Sequence, residues 1–423
     1  MATTVSSHDT AHGAAHPIPA GERRFGLRDS AALWFSLGVG LLVMQVGAGL
    51  VPALGPRDAL LAVVAGSLLG AGLVAWVAAL GARHGLASSA LIGSAFGNSF
   101  ARLPVGLNVL QLFGWTAFEL VIMRDASAAL LRDLGLAGAW VAPVMTLAWG
   151  ALLVALATGS MVGLVRRFVS RFGLPLVVLS LIWLSWQFGQ RLAAQGFGQW
   201  WSRPGTGGMT ALQALDLVIA MPVSWLPLVA DYARYGRTVR STLAGTWLGY
   251  ALANLWCYAL GVVVVATAPD ATDLLATILL AQGGLIALGF ILVDEVDNAY
   301  GDVHSGAVSA HFLASGRSTI RRLGVTLAVL ATGAALVLPM SSLEPFLLLL
   351  SSVFVPLFGV VLAQLGFGGL LPARAIRPGP VLLWFAGIAC FHLGASLWPE
   401  WGSALPALAF TLAGGVLLRV FSR

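Results

Sequence analysis

Four carboxylates crowd nine positions of an otherwise apolar chain, in the stretch Asp294-Glu295-Val-Asp297-Asn298-Ala-Tyr300-Gly-Asp302. On a helix, Asp294, Glu295, Asn298 and Asp302 project within a fan of about 100°. Carboxylates gathered on one face suit binding a cation or carrying protons, and inside a bilayer each costs ~2.5 kcal/mol or more and so needs a reason to be there. A second constellation is Asn108, Gln111, Trp115 and Glu119, spaced by three, four and four and therefore on one helical face. An indole with a carboxylate one turn away can hold a flat polar ring; the same residue types can also be packing and interhelical glue. A third is Met221-Pro222-Val-Ser224-Trp225-Leu-Pro227, where two prolines remove backbone donors and break or kink the helix around Trp225. Backbone groups freed at membrane depth are tolerated where they line a cavity or meet a ligand.

The elements that carry these residues are membrane spans. The chain has 423 residues, 58% hydrophobic and 9% charged, with a mean hydropathy of +0.90, which excludes an ordinary soluble protein. Apolar runs of about 20 residues, the length that crosses a hydrocarbon core of about 30 Å, recur from Ala31 onward. They divide the chain into twelve spans: Ala31–Leu54, Ala59–Leu80, Leu103–Leu131, Trp140–Thr158, Phe172–Phe188, Ala211–Ala230, Thr242–Ala268, Leu285–Phe312, Leu323–Leu338, Pro345–Gly368, Val381–Leu397 and Ser403–Val420. With both termini inside, 18 of the 23 arginines fall on the cytoplasmic side and five outside, as positively charged loops should. The net charge of +6 is thus topological and implies no nucleic-acid partner.

The run from Asp273 to Phe312 is too long for one span, and Gly283-Gly284 is the expected break. That break puts Asp294 to Asp302 near the middle of the bilayer; a span at Leu274 to Val293 would leave them at its cytoplasmic mouth. The first span has a weak point at Trp34-Phe-Ser-Leu-Gly38-Val-Gly40, and the sixth, five spans later, has the proline break. Interrupted helices in corresponding positions of two halves point to a transporter's substrate site. Candidate cation-coupling residues are therefore Asp294, Glu295, Asp302 and Gly38. Asp231 and Arg234, spaced i and i+3, are a candidate cytoplasmic lock, with a plain helix-end pair the alternative; Arg124 and Asp125 are a candidate external gate, but adjacent residues do not face each other, so a snorkelling interface pair is the stronger reading.

The residues before Phe25, with His8, His12 and His16, read as a disordered cytoplasmic tail, with metal binding the lesser alternative. Cys257 and Cys390 form no ligand spacing, and no cofactor is expected.

Leu33-Trp-Phe-Ser-Leu-Gly-Val-Gly40, the run from Asn108 to Glu119 with Gly-Trp at its centre, and Ala230-Asp-Tyr-Ala-Arg-Tyr-Gly-Arg237 resemble the purine/cytosine permease branch of the nucleobase-cation symporter family, most nearly its CytX-type hydroxymethylpyrimidine and cytosine transporters. The resemblance runs from about Phe25 to the C-terminus. It implies an all-α, LeuT-like fold: a tail over 1–30, inverted repeats over 31–196 and 211–372, and two extra helices over 380–423. It implies alternating access, a tryptophan that stacks on a heterocycle (Trp115), a hydrogen-bonding residue one turn later (Glu119), and further substrate contacts from Trp225 and Asn298, beside which Ser224 and Gln111 are candidates. It also favours midplane acids. Sodium-coupled members carry hydroxyl residues where this chain has Leu292 and Val293, so the coupling ion, proton or sodium, stays open.

A carboxylate at 119 accepting two parallel hydrogen bonds from an amidine-like edge favours an amino-substituted ring. The expected partners are then a small heterocycle and membrane lipid, in an inner-membrane protein that is monomeric or weakly oligomeric. Two rivals remain. Aromatic boxes also hold amines, which allows an amino-acid or quaternary-amine symporter. Tyr300-Gly-Asp302 suggests an intramembrane aspartyl protease, but Ala299 stands where that pattern needs glycine.

Overall fold

The computed structural model describes residues 17–159, 173–268, 274–314 and 317–421. The tail histidines and Arg166, Arg167 and Arg171 lie outside them. Among the described residues every named element is a helix, and the chain otherwise pairs only in an isolated parallel bridge between Phe25 and Gly236.

Both expected breaks are present. The first bent rod consists of α1 (Leu27–Gly38) and α2 (Leu41–Gly49), which meet at 59°. After α3 (Pro56–His84), α4 (Ser88–Phe96), α5 (Arg102–Asp133), α6 (Val141–Ala157), α7 (Leu174–Gln195) and α8 (Phe197–Trp201) comes the second bent rod, α9 (Ala211–Ser224) and α10 (Leu226–Ala233), bent by 41°. A reciprocal capping box starts α9: Thr210 Oγ1 accepts from the Gln213 amide at 3.2 Å, and the Gln213 side chain accepts from the Thr210 amide at 2.7 Å. Pro227 sits in the first turn of α10, where its missing N–H costs no helical bond, and the interruption falls at Trp225 between the two prolines.

The second half continues with α11 (Val239–Ala266), α12 (Leu274–Leu279), α13 (Gly284–Leu313), α14 (Ile320–Ala335), α15 (Leu343–Leu365), α16 (Pro378–Leu397) and α17 (Ala404–Phe421). Gly283, at φ 71°, turns the chain between α12 and α13 in the left-handed region that glycine enters without strain, so the acid-bearing stretch lies inside α13.

Among the described residues, six helices are long and apolar enough to cross a membrane, or eight if each bent pair is one span. The twelve runs read from sequence exceed eight by four for visible reasons: α13 carries the acids, α6 and α14 have only 17 and 16 residues, and the second half of α7 mixes Ser185, Gln187, Gln190 and Arg191 into its apolar run.

The helices pack in two groups. The bent rods, α3 and α11 pack on one another, while α5, α6, α7, α13 and α14 form a second set. Within the first group backbones nearly touch. A Cβ on Gly261 would strike the Met44 carbonyl, and one on Gly249 the Ala31 carbonyl, closer than any real Cβ contact; small residues at such crossings let membrane helices approach. The last helix is fastened to the second bent rod through buried Asp216, which accepts the backbone N–H groups of Ser403 and Ala404 at the start of α17, where a helix N-terminus favours negative charge.

Gly261→Ala should therefore lower stability by about 1–3 kcal/mol through overpacking, read as a reduced melting temperature of the detergent-purified protein. Gly289→Ala, with open space around its Cβ position, should leave it unchanged.

Candidate functional site

The first break leaves the Val39 carbonyl and the Leu41 amide without helical partners, and α13 answers both. Asn298 Nδ2 donates to Val39 O at 3.4 Å, and Glu295 Oε1 accepts from the Leu41 amide. At the second break α5 answers: Gln111 Nε2 donates to the Ser224 carbonyl at 2.8 Å and to Asn108 Oδ1 at 2.8 Å. Polar side chains from the second helix group thus stitch the breaks of the first.

Between the breaks lies a cavity of about 540 Å³, open mouth included. Trp115, Glu119, Ser224, Trp225, Glu295, Asn298 and Asp302 all line it, with Val39, Gly40, Tyr250 and an apolar wall that includes Leu112 and Met221. Seven of the residues singled out in the sequence therefore converge. Trp115 is 6% exposed and held edge-on by Phe346, ring centroids 5.3 Å apart; its indole N–H meets no partner among the described residues. Trp225 packs edge-on against buried Trp34 at 5.7 Å, and its side chain hydrogen-bonds that of Tyr250. Ser224 Oγ is turned back to the Met221 carbonyl at 2.6 Å, so it presents the break more than a free hydroxyl.

Three carboxyl groups line the cavity and no arginine, lysine or histidine does. Glu295 is 1% exposed and Glu119 7%, and their side chains hydrogen-bond each other across the α5–α13 packing.

The other candidates lie elsewhere. Gly38 is outside the lining and packs on α11, where a Cβ would sit 2.8 Å from that of Ala253; Gly40 is the glycine that faces the acids, its Cβ position 3.3 Å from Glu295 Oε1. Gln111 is buried behind the cavity, holding Ser224. Asp294 belongs to α13, but its side chain lies outside the described residues. Asp231 accepts the Ser88 amide at the start of α4 at 2.9 Å, and the Arg234 guanidinium lies 5.2 Å from the centre of the Tyr235 ring; neither lines the cavity. Arg124 does pair with Asp125: the long side chain curls so that Nε reaches Oδ1 at 2.7 Å, while Nη1 donates to the Ala335 carbonyl ending α14 at 2.8 Å.

Sequence reasoning passed over Tyr250 and the depth of Trp34's role. A signal was present, since Tyr250, Asn254 and Tyr258 recur every four residues and form a polar stripe on α11 like that on α5.

Residues 17–367 match the family model described as permease for cytosine/purines, uracil, thiamine, allantoin. The chain belongs to this permease family. As a family member it is a transporter and an integral membrane protein, and the protease reading falls. A search of curated proteins gave no match. Among solved structures, the fold is similar to that of Mhp1 facing inward, with a TM-score of 0.76 at 16% identity over 96% of this chain and 92% of that one. It is equally similar to Mhp1, a nucleobase-cation-symport-1 family transporter, closed with bromovinylhydantoin bound, at 0.76 and 15% over 97% and 94%. A Na⁺-coupled sialic acid symporter follows with a TM-score of 0.61 at 13% identity over 95% and 91%, and an Eremococcus coleocola manganese transporter with 0.56 at 15% over 94% and 94%.

In this permease fold the Tyr250 hydroxyl orients the Trp225 ring that walls the cavity. Removing it in Tyr250→Phe should weaken ligand binding by about fivefold to tenfold, the worth of roughly one hydrogen bond, as measured by quenching of tryptophan fluorescence, without loss of thermal stability beyond ~1 kcal/mol.

Proposed function

We propose that this permease imports a nucleobase or aminopyrimidine, cytosine or hydroxymethylpyrimidine, by cation symport with alternating access. The observation that carries the reading is the convergence of Trp115, Trp225, Glu119 and Asn298 on one cavity at the two helix breaks. Indole faces bind a flat ring by stacking and apolar contact. The unpartnered Trp115 N–H and the Asn298 amide supply donors, and Glu119 reads the edge that bears an exocyclic amine, which uracil lacks. The architecture proposed is twelve spans, two five-helix inverted repeats headed by the bent rods and followed by α16 and α17, in a monomeric or weakly oligomeric protein of the bacterial inner membrane with both termini cytoplasmic. Asp231 and Arg234, at the end of α10, are proposed to steady its cytoplasmic end, and Asp302 and Asp294 to belong with Glu295 to the coupling set.

One observation favours a second reading. Aromatic faces with three carboxyl groups and no lining cation also suit an amine, so quaternary amines and amino acids belong in the competition panel; displacement by amines while nucleobases fail would replace the first reading.

Glu119→Ala should reduce uptake of radiolabelled cytosine or hydroxymethylpyrimidine into proteoliposomes by roughly tenfold to a hundredfold, the loss of a carboxyl group that hydrogen-bonds the ring, and Trp115→Ala by about threefold to tenfold through lost stacking. Full uptake of both rings by Glu119→Ala would overturn the assignment of Glu119.

A further inference from the structure

Two carboxyl groups that hydrogen-bond each other hold a proton between them, because carboxylates offer only acceptors. Glu119 on α5 and Glu295 on α13 are such a pair, both buried and both lining the cavity. Glu295 spends Oε1 on the Leu41 amide, and its Oε2 meets no conventional donor among the described residues. The hydrogen in this contact therefore belongs to the carboxyl pair.

The ligand edge makes the same demand. A neutral aminopyrimidine presents an amine N–H beside a ring nitrogen that can only accept. A carboxylate matches the amine but sets a lone pair against the ring nitrogen; a carboxylic acid offers O–H and C=O side by side and matches both. We propose that Glu119 carries the transported proton and that this proton is half of the recognition surface, so that the Glu119–Glu295 pair binds proton and aminopyrimidine as one event. The inference rests on the substrate reading above and names its coupling ion.

In the empty protonated site the Glu119 O–H donates to Glu295, which stays ionised and held by Leu41. When the ring enters, that O–H turns to the ring nitrogen, and the exocyclic amine donates to the other Glu119 oxygen. Only hydrogen bonds change, and the proton stays on Glu119 until the ring leaves, after which water takes it. A deprotonated pair rejects the ring, and this is the coupling. Among the described residues, the titratable groups facing the pair are Asp302 from α13, within electrostatic reach of Glu295, and Tyr250 from α11, while α1, α2, α9 and α10 contribute no ionisable side chain to the lining.

Glu119→Gln tests the idea because glutamine permanently presents N–H and C=O side by side, a neutral copy of the acid. Wild-type affinity for cytosine should fall about tenfold per pH unit once the pair loses its proton, and adding cytosine above that pH in weakly buffered solution with an indicator dye should take up about one proton per ring bound. Glu119→Gln should bind cytosine with an affinity flat in pH, and exchange it across sodium-free proteoliposomes, yet fail to concentrate it under an imposed pH gradient. Its retained binding shows that the variant is folded, and the wild-type proton uptake reads the proposal without any variant. A wild type that binds cytosine with no pH dependence and no proton uptake, or a Glu119→Gln protein still driven by the gradient, would overturn the proton inference alone. A wild type that binds neither cytosine nor hydroxymethylpyrimidine at any pH would bring down the substrate reading and this inference with it.

Discussion

A helix that stops inside a bilayer leaves amides and carbonyls that no water can satisfy, each costing several kcal/mol if left unpaired. The rest of this structure follows from that constraint. The Leu41 amide, the Val39 carbonyl and the Ser224 carbonyl are the groups the two breaks expose, and Glu295, Asn298 and Gln111 answer them. All three answers come from α5 and α13, in the second packing group, while all three exposed groups belong to the first. The hydrogen bonds that keep the breaks tolerable are thus also the seam between the two halves of the bundle, and the cavity lies on that seam. A solute seated there touches both halves, so its arrival or departure bears directly on how they sit together.

Electrostatics at the seam is one-sided. The cavity is lined by three carboxyl groups and no basic side chain, and the positive end of α2 is a partner for only one of them. Trp115, Trp225 and Tyr250 supply the aromatic part of the wall, and Trp34 fixes the attitude of the last two: it is edge-on to Trp225, Tyr232 and Tyr250 at once, at 5.7, 6.2 and 6.0 Å. A rigid aromatic wall facing an acidic one gives a flat ring two distinct surfaces, one for its faces and one for its polar edge.

What could be read from the sequence was whatever depends on neighbours along the chain. The break at Trp225 was legible because a proline removes a donor wherever it stands, the turn at Gly283 because glycine is cheap there, and the face shared by Trp115 and Glu119 because helical spacing is fixed. What depends on packing was not. Gly38 and Gly40 are indistinguishable as weak points, yet one packs on α11 and the other faces Glu295, because the break falls two residues beyond the first glycine. Gln111 could not be assigned to a carbonyl 113 residues away, nor Asp231 to an amide 143 residues away. In the meeting of Arg124 with Asp125, side-chain length overrides the direction in which the helix points its Cβ atoms.

The same distinction bears on the coupling ion. A hard cation needs several oxygen ligands at short, near-equal distances, and Leu292 and Val293 of α13 carry no side-chain oxygen; Leu292 is buried. Glu295, the nearest acid whose surroundings are described, already gives one oxygen to the Leu41 amide, and its side chain hydrogen-bonds that of Glu119. A proton asks far less of a site, needing only one acceptor on each side. Two buried carboxyl groups in contact supply that, and in the proposal above the group that holds the proton is also the group that meets the edge of the ring. On the proposal made above, coupling requires no separate ion site communicating through the helices, since proton and ring together complete one hydrogen-bonding surface.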